Sequence, residues 1–388
     1  MSDSSKGSSM KTIDTVLAGI SAMPVVSPEA ASAYAFAANT LVTQVINALP
    51  HGHDLDGMTA GITPETLRNR HQQHLKIMTN MIKINDPYLI AWTTLRQQGT
   101  CLEQGLSGDF FLGEIKAWRS AIQESLGHPG HRDELLEFYG RLAELRETIL
   151  ESAATGEEPF FPHRENFEEQ QQLFLVLLLM GDYQQCLNFS SKVIQNVDDL
   201  KTFNLKVIWP VLYRVGLLWQ SGQISIADEH LVTNLVRRIA TVQHSRFATL
   251  NVTLGKVVVS SAANEYHEVG AQMVADFLGM EGWDVTCLGA NVPSWVLLET
   301  IKQNKPFMLA LSVAIEANLV KVQQLIDAIR EDPEIRDIKI MVGGNAFSRS
   351  PLVWKRIGAD GFAADADSAT KTAHQWWRAL QGKSGVVS

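Results

Sequence analysis

Lys256-Val257-Val258-Val259-Ser260, followed after four residues by Glu265-Tyr266-His267-Glu268-Val269-Gly270, is the stretch on which the reading of the fold turns. A short run of β-branched residues with no helical period reads as a strand buried on both faces, as in a parallel sheet. The helical pattern of Ala271 to Met280 follows at once, so strand, loop and helix form one βα unit. His267 therefore sits on a loop just past the carboxyl end of a buried strand, with a carboxylate two residues before it and a glycine three after it. An imidazole so placed can bind a metal through one nitrogen while the other donates to the carboxylate, which fixes its tautomer.

Downstream the same alternation continues. Val285 to Leu288, Phe307 to Val313, Ile338 to Val342 and Gly361 to Ala363 read as further strands separated by amphipathic helices. Such βαβ repetition predicts a doubly wound, Rossmann-like parallel sheet over residues 253–388, with ligands at the carboxyl ends of its strands. Two more loops open on that edge: Ser312-Val313-Ala314 after the third strand and Gly343-Gly344 after the fourth. Paired glycines there remove the Cβ atoms that would block a large ligand from sliding between strands.

Upstream, Glu165 to Met180, Tyr183 to Gln195, Asp199 to Trp219 and Ile226 to about Leu250 read as four helices joined by short turns, a bundle over residues 165–252. Between the last two helices, Trp219 is followed ten and eleven positions later by Glu229 and His230.

The set Glu265-x-His267-x-x-Gly270, Ser312-x-Ala314 and Gly343-Gly344 resembles the cobalamin-binding fold of methionine synthase, the corrinoid carriers and the cobalamin photoreceptors. The resemblance implies that His267 is the lower axial ligand of cobalt, and that Ser312 and the glycine pair line a slot for the dimethylbenzimidazole tail. The chain carries Glu265 where the family has Asp and Ala314 where it has Leu. Trp219 with Glu229-His230 resembles the signature of the CarH-type light-sensing repressors, which implies a tryptophan covering the adenosyl group and a Glu-His pair on the upper face of the cofactor. Where that type carries a histidine directly after the tryptophan, this chain has Gln220.

The N-terminal part reads differently. Residues 1–27 form a polar tail and a short helix, Ile13 to Met23. Residues 28–154 form an all-helical domain opened by Ser27-Pro28, restarted at Thr63-Pro64-Glu65 after the loop of residues 50–61, and broken near Gly127 to Gly130. The segment Thr155 to His163 reads as a linker. A helical domain ahead of a cobalamin module resembles the photocobilins, which implies a bilin such as biliverdin as a second chromophore. Read from the residues alone, His71 and His74 are solvent-facing helix histidines, Trp92, Phe110, Phe111, Trp118 and Tyr139 are core aromatics, and Cys101 is an inert thiol.

Composition bounds the rest. A formal net charge of -9 over 388 residues opposes broad affinity for nucleic acid. No stretch approaches the roughly 20 apolar residues that span a bilayer. The polar N-terminus shows no secretory signal, and three scattered cysteines suit reduced thiols, so a cytoplasmic protein is expected. Taken together, the expectation is a non-enzymatic light-sensing regulator that binds adenosylcobalamin and acts through light-dependent homo-oligomerisation or a protein partner. The alternative is a corrinoid carrier in methyl transfer.

Overall fold

A computed structural model describes residues 24–49, 64–86, 89–90, 93–94, 97–98, 106, 108–146, 148–150, 168–220, 222–247, 252–348, 350 and 352–384. The helix read over residues 13–23, the loop at 50–61, the linker, Trp92 and Cys101 lie outside these residues. The chain divides into two compact units, Met1–Phe160 and Phe161–Ser388. No helix among the described residues is long and apolar enough to cross a membrane.

The first unit contains α1 (Pro28–Phe36), α2 (Ala38–Ala48), α3 (Pro64–Ile84), α4 (Gly108–Ser125) and α5 (Pro129–Glu144). Ser27 caps α1 through its hydroxyl and Pro28 supplies the first helical φ. The span 28–49 divides in two at Ala37, whose backbone (φ -79°, ψ 4°) leaves the helical well without any glycine or proline to announce it. Phe110, Phe111, Trp118 and Tyr139 are buried, as core aromatics should be.

The histidines of α3 correct the reading from sequence. His71 is fully buried, with Nδ1 3.3 Å from Glu114, although neither ring nitrogen makes a hydrogen bond. Glu114 is held by a two-pronged contact from Arg70 at 3.2 and 3.0 Å. His74 bridges Gln97 Oε1 (3.0 Å) and the Tyr139 hydroxyl (3.1 Å), and Tyr139 in turn shares a 2.6 Å hydrogen bond with Tyr34. These contacts explain why His74 can face inward, since a buried polar group is tolerated when other groups of the fold meet it; His71 has only its approach to the Glu114 carboxylate.

The second unit begins with α6 (Glu168–Leu179), α7 (Tyr183–Val193), α8 (Val197–Phe203), α9 (Trp209–Gln220) and α10 (Ile226–Ser245). The single helix expected over Asp199 to Trp219 is interrupted by a π-helical turn at Asn204–Ile208. Pro210 has no N–H for the Lys206 carbonyl and its ring would crowd it, so the turn widens. Trp209 N–H instead reaches back five residues to Asn204 O, and Gln171 of α6 donates to Lys206 O at 2.7 Å. The bundle core is continuous with Met273 and Phe277, so the bundle rests on the first helix of the domain that follows.

That domain is a five-stranded parallel sheet of order β2-β1-β3-β4-β5, the doubly wound class expected. Its elements are β1 (Lys256–Ser261), α11 (Val269–Met280), β2 (Asp284–Cys287), α12 (Ser294–Asn304), β3 (Met308–Ser312), α13 (Leu319–Glu331), β4 (Lys339–Gly343), β5 (Gly361–Ala363) and α14 (Ala366–Ser384). Val257, Val258 and Val259 are all buried, which is why β1 reads as an unbroken apolar run. The order reverses at β1 and β3, so the loops after these strands open the crevice where such sheets hold ligands.

Candidate cofactor site

Glu265 lies in the loop after β1 and is fully buried. Asn264 turns the chain there with a left-handed backbone (φ 64°), and its N–H bonds the Asn291 side chain from the loop after β2. One carboxylate oxygen of Glu265 meets His267 Nδ1 at 2.5 Å and its N–H at 3.2 Å. The other accepts from Ala314 N–H (2.9 Å), Ile315 N–H (3.0 Å) and Asn318 Nδ2 (3.1 Å). Burial pushes the Glu265 carboxyl up, but the bonds from His267 and Ile315 outweigh it and hold the group below the usual range.

His267 is anchored on its Nδ1 side, while its side chain is 59% exposed. The Glu265 bond raises its proton affinity above the ordinary value, against partial desolvation, and the charge of Glu229 adds to the effect. Glu229 is on the bundle, in the first turn of α10. Ser225 and Asp228 close a capping box that starts this helix, so Glu229 and His230 follow at its N-terminal end. Glu229 bonds His230 Nδ1 at 2.6 Å and accepts from Thr233 at 2.9 Å. The bundle and the His267 loop are tied by Arg237 and Glu268 at 2.8 Å. Trp219, at the end of α9, is 44% exposed.

Gly270, Ser312, Gly343 and Gly344 line one cavity of about 390 Å³ that runs inward from the carboxyl edge of the sheet. A Cβ on Gly343 would stand 2.8 Å from Ala363 O, and one on Gly344, whose φ is +96°, would stand 2.8 Å from the Val313 carbonyl carbon. Trp219, Glu229, His230, Glu265 and His267 lie outside this lining, so the site has two parts: an exposed imidazole opposite the bundle, and a slot beside it.

Sequence reasoning missed three contributors. Asn318 and the Ile315 amide, which hold Glu265 together with the Ala314 amide of the serine motif, follow β3 without a recognisable pattern. Lys206 of the π turn and Trp209 at the start of α9 bring the bundle to the slot, and Ala363 to Asp367 bring the end of β5 and the residues after it. Only the last carried a signal, the small residues of Gly361-Phe362-Ala363-Ala364.

Two matches to the family described as B12 binding domain cover residues 171–242 and 255–372. The HTH-type transcriptional repressor CarH of Myxococcus xanthus is 27% identical over 210 residues, 53% of this chain and 67% of the repressor. The trimethylamine corrinoid protein of Methanosarcina barkeri is 27% identical over 133 residues, 34% of this chain and 60% of that protein. Among solved structures, the monomethylamine corrinoid protein of Methanosarcina barkeri aligns with TM-score 0.47 at 18% identity, over 54% of this chain and 98% of that one.

The described residues suit a corrinoid. A single exposed imidazole backed by a buried carboxylate is a donor for a metal whose other positions are filled by a macrocycle. Two glycines at which any Cβ would strike backbone leave the edge of the slot open to a bulky tail.

Proposed function

We propose that this chain is a light-sensing regulator that binds adenosylcobalamin and answers illumination by changing contacts between bundle and sheet or between copies of itself. His267 would hold the cofactor from below with Glu265 fixing its tautomer, while Gly270, Ser312, Gly343 and Gly344 would receive the tail. Trp219, Glu229 and His230 would cover the upper face. When bound, adenosylcobalamin supplies a cobalt–carbon bond that visible light breaks.

The observation that carries the reading is Glu229. It stands on the bundle ten residues after Trp219, its charge acts on His267 of the sheet domain, and Arg237 of the same helix pairs with Glu268 next to His267, which supports a shared site for the Glu-His and histidine motifs. The contacts available to a two-state switch are local: Arg237 with Glu268, and Lys201 with Glu281 at 2.5 Å, both linking bundle to sheet domain. The reading leaves out a bilin. Trp118, Tyr139, Tyr34 and His74 of the first unit pack ring against ring, with centroids 5.0 to 6.3 Å apart.

The test is to load the full chain with adenosylcobalamin in the dark and expose it to green light. A changed absorption spectrum together with a changed mass by light scattering is expected. An unchanged spectrum and mass after loading would overturn the light-sensor reading. The corrinoid proteins among the relatives support a second reading, a methyl carrier, in which the upper face stays accessible.

A further inference from the structure

The strand register sorts the slot into two rows. Ser312, Gly343 and Ala363 pair across the sheet at its carboxyl edge. Two residues further in, on the same face, Val259, Ala310 and Met341 pair in the row below. Opposite them, α11 contributes Ala271 and Val274, and α14 contributes Ala366 and Ala369. Leu205 and Lys206 from the π turn of the bundle, and Trp209 at the start of α9, add to the wall.

The side chains of this inner row and of the two helices opposite it are thus apolar, with Lys206 and the Trp209 indole entering from the bundle. Strand amides and carbonyls are spent in the parallel ladder, and the Lys206 carbonyl receives Gln171. Three polar side chains stand nearer the rim: Ser312 at the end of β3, Asp365 bonded to the Ser368 N–H, and Asp367 paired with Lys371 at 2.6 Å.

We propose that this slot selects cobamides whose lower base is an apolar benzimidazole over those with a purine base, and that Trp209 of the bundle packs against the base. The inference rests on the cobalamin reading above. A dimethylbenzimidazole presents methyl groups and a single free ring nitrogen, whereas adenine brings an exocyclic amine and several ring nitrogens. Burying those groups against Met341, Val259 and Ala310 leaves them without partners, which costs more than the loss of a methyl contact. Trp209 matters because its side chain comes from the bundle, so the bundle senses the base as well as the upper face. Its position depends on the π turn that Pro210 imposes.

The experiment compares three ligands carrying the same upper group: cobalamin, the cobamide with an adenine base, and cobinamide, which has no base. Affinities of the full chain are read by absorbance titration in the dark. Cobalamin is expected to bind at least about 10-fold more tightly than the adenine form and more tightly than cobinamide. Trp209→Ala should narrow the gap between cobalamin and cobinamide. Met341→Gln, which keeps the side-chain volume and serves if the tryptophan variant fails to fold, should narrow the gap between cobalamin and the adenine form. Equal affinity for the two bases overturns the selectivity. Equal affinity for all three shows that no base enters the slot and overturns the inference while leaving the cofactor reading intact. Failure of all three to bind overturns the cofactor reading itself, and the inference with it.

Discussion

Asn318 donates to the carboxylate oxygen of Glu265 that faces away from His267, at 3.1 Å, and both side chains are buried. The amide cannot take up a proton, so it stabilises the ionised carboxylate alone and leaves the other oxygen to orient the imidazole. Replacing Asn318 with Leu removes that donor from a buried charge. Stability should fall by about 1–3 kcal/mol and cobalamin affinity by roughly 10-fold or more. Asn318→Asp, which sets a second carboxylate against Glu265, should be worse. Thermal melts and an absorbance titration decide the matter, and a Leu variant unchanged in both would show that the two backbone amides suffice.

At Gly344 the backbone and the space act together. Its φ of +96° is one that L side chains rarely adopt, and a Cβ there would strike the Val313 backbone. Gly344→Ala should therefore cost at least about 1–3 kcal/mol from strain alone. Gly343, with ordinary φ, faces only the Ala363 carbonyl, so Gly343→Ala should be milder in a melt while still closing the slot. Equal destabilisation by the two variants would contradict this division.

How much was legible follows from range along the chain. The strands were legible because parallel β-strands are apolar runs, and Glu265 with His267 because the pair is two residues apart. Asn318 was not, since its partner is 53 residues away and nothing local marks it. Pro210 was visible in the sequence, yet a periodic apolar face still read as one helix, because a π turn moves the register without ending the element. His71 looked exposed for a similar reason. Only the fold brings Glu114 to it from α4, and Arg70 is held there by the same carboxylate.

His74 gives the first unit a pH dependence. Burial lowers its pKa to about 4, against the pull of Glu114. In the unfolded chain it titrates near 6.5. The unfolded state therefore binds more protons between these values, so stability falls as pH drops from about 6.5 toward 4 and is flat above about 7. The shift sets an upper limit of about 3 kcal/mol, lessened because the residue is only partly buried. Glu114, held low by Arg70 and His71 in spite of burial, adds a loss of the same sign at more acid pH, below the usual carboxylate range. Melting of the first unit followed at pH 7.5 and 5 should show the loss, and His74→Gln should remove most of it. A wild-type midpoint that does not move would refute the depressed histidine.

Trp219 separates the two functional readings. The residue is 44% exposed at the end of α9. If an adenosyl group packs there, covering roughly 100 Å² at about 25 cal/mol per Å² contributes about 2.5 kcal/mol, or roughly 70-fold in affinity. A methyl group is too small to reach that area. On the light-sensor reading, Trp219→Ala should weaken adenosylcobalamin by about that factor and methylcobalamin by a few-fold at most, with the melting temperature nearly unchanged because the ring is already half in solvent. On the carrier reading the tryptophan touches neither upper group, and both ligands should lose affinity equally or not at all. Dark titrations of the two cobalamins on one preparation of the variant decide between them.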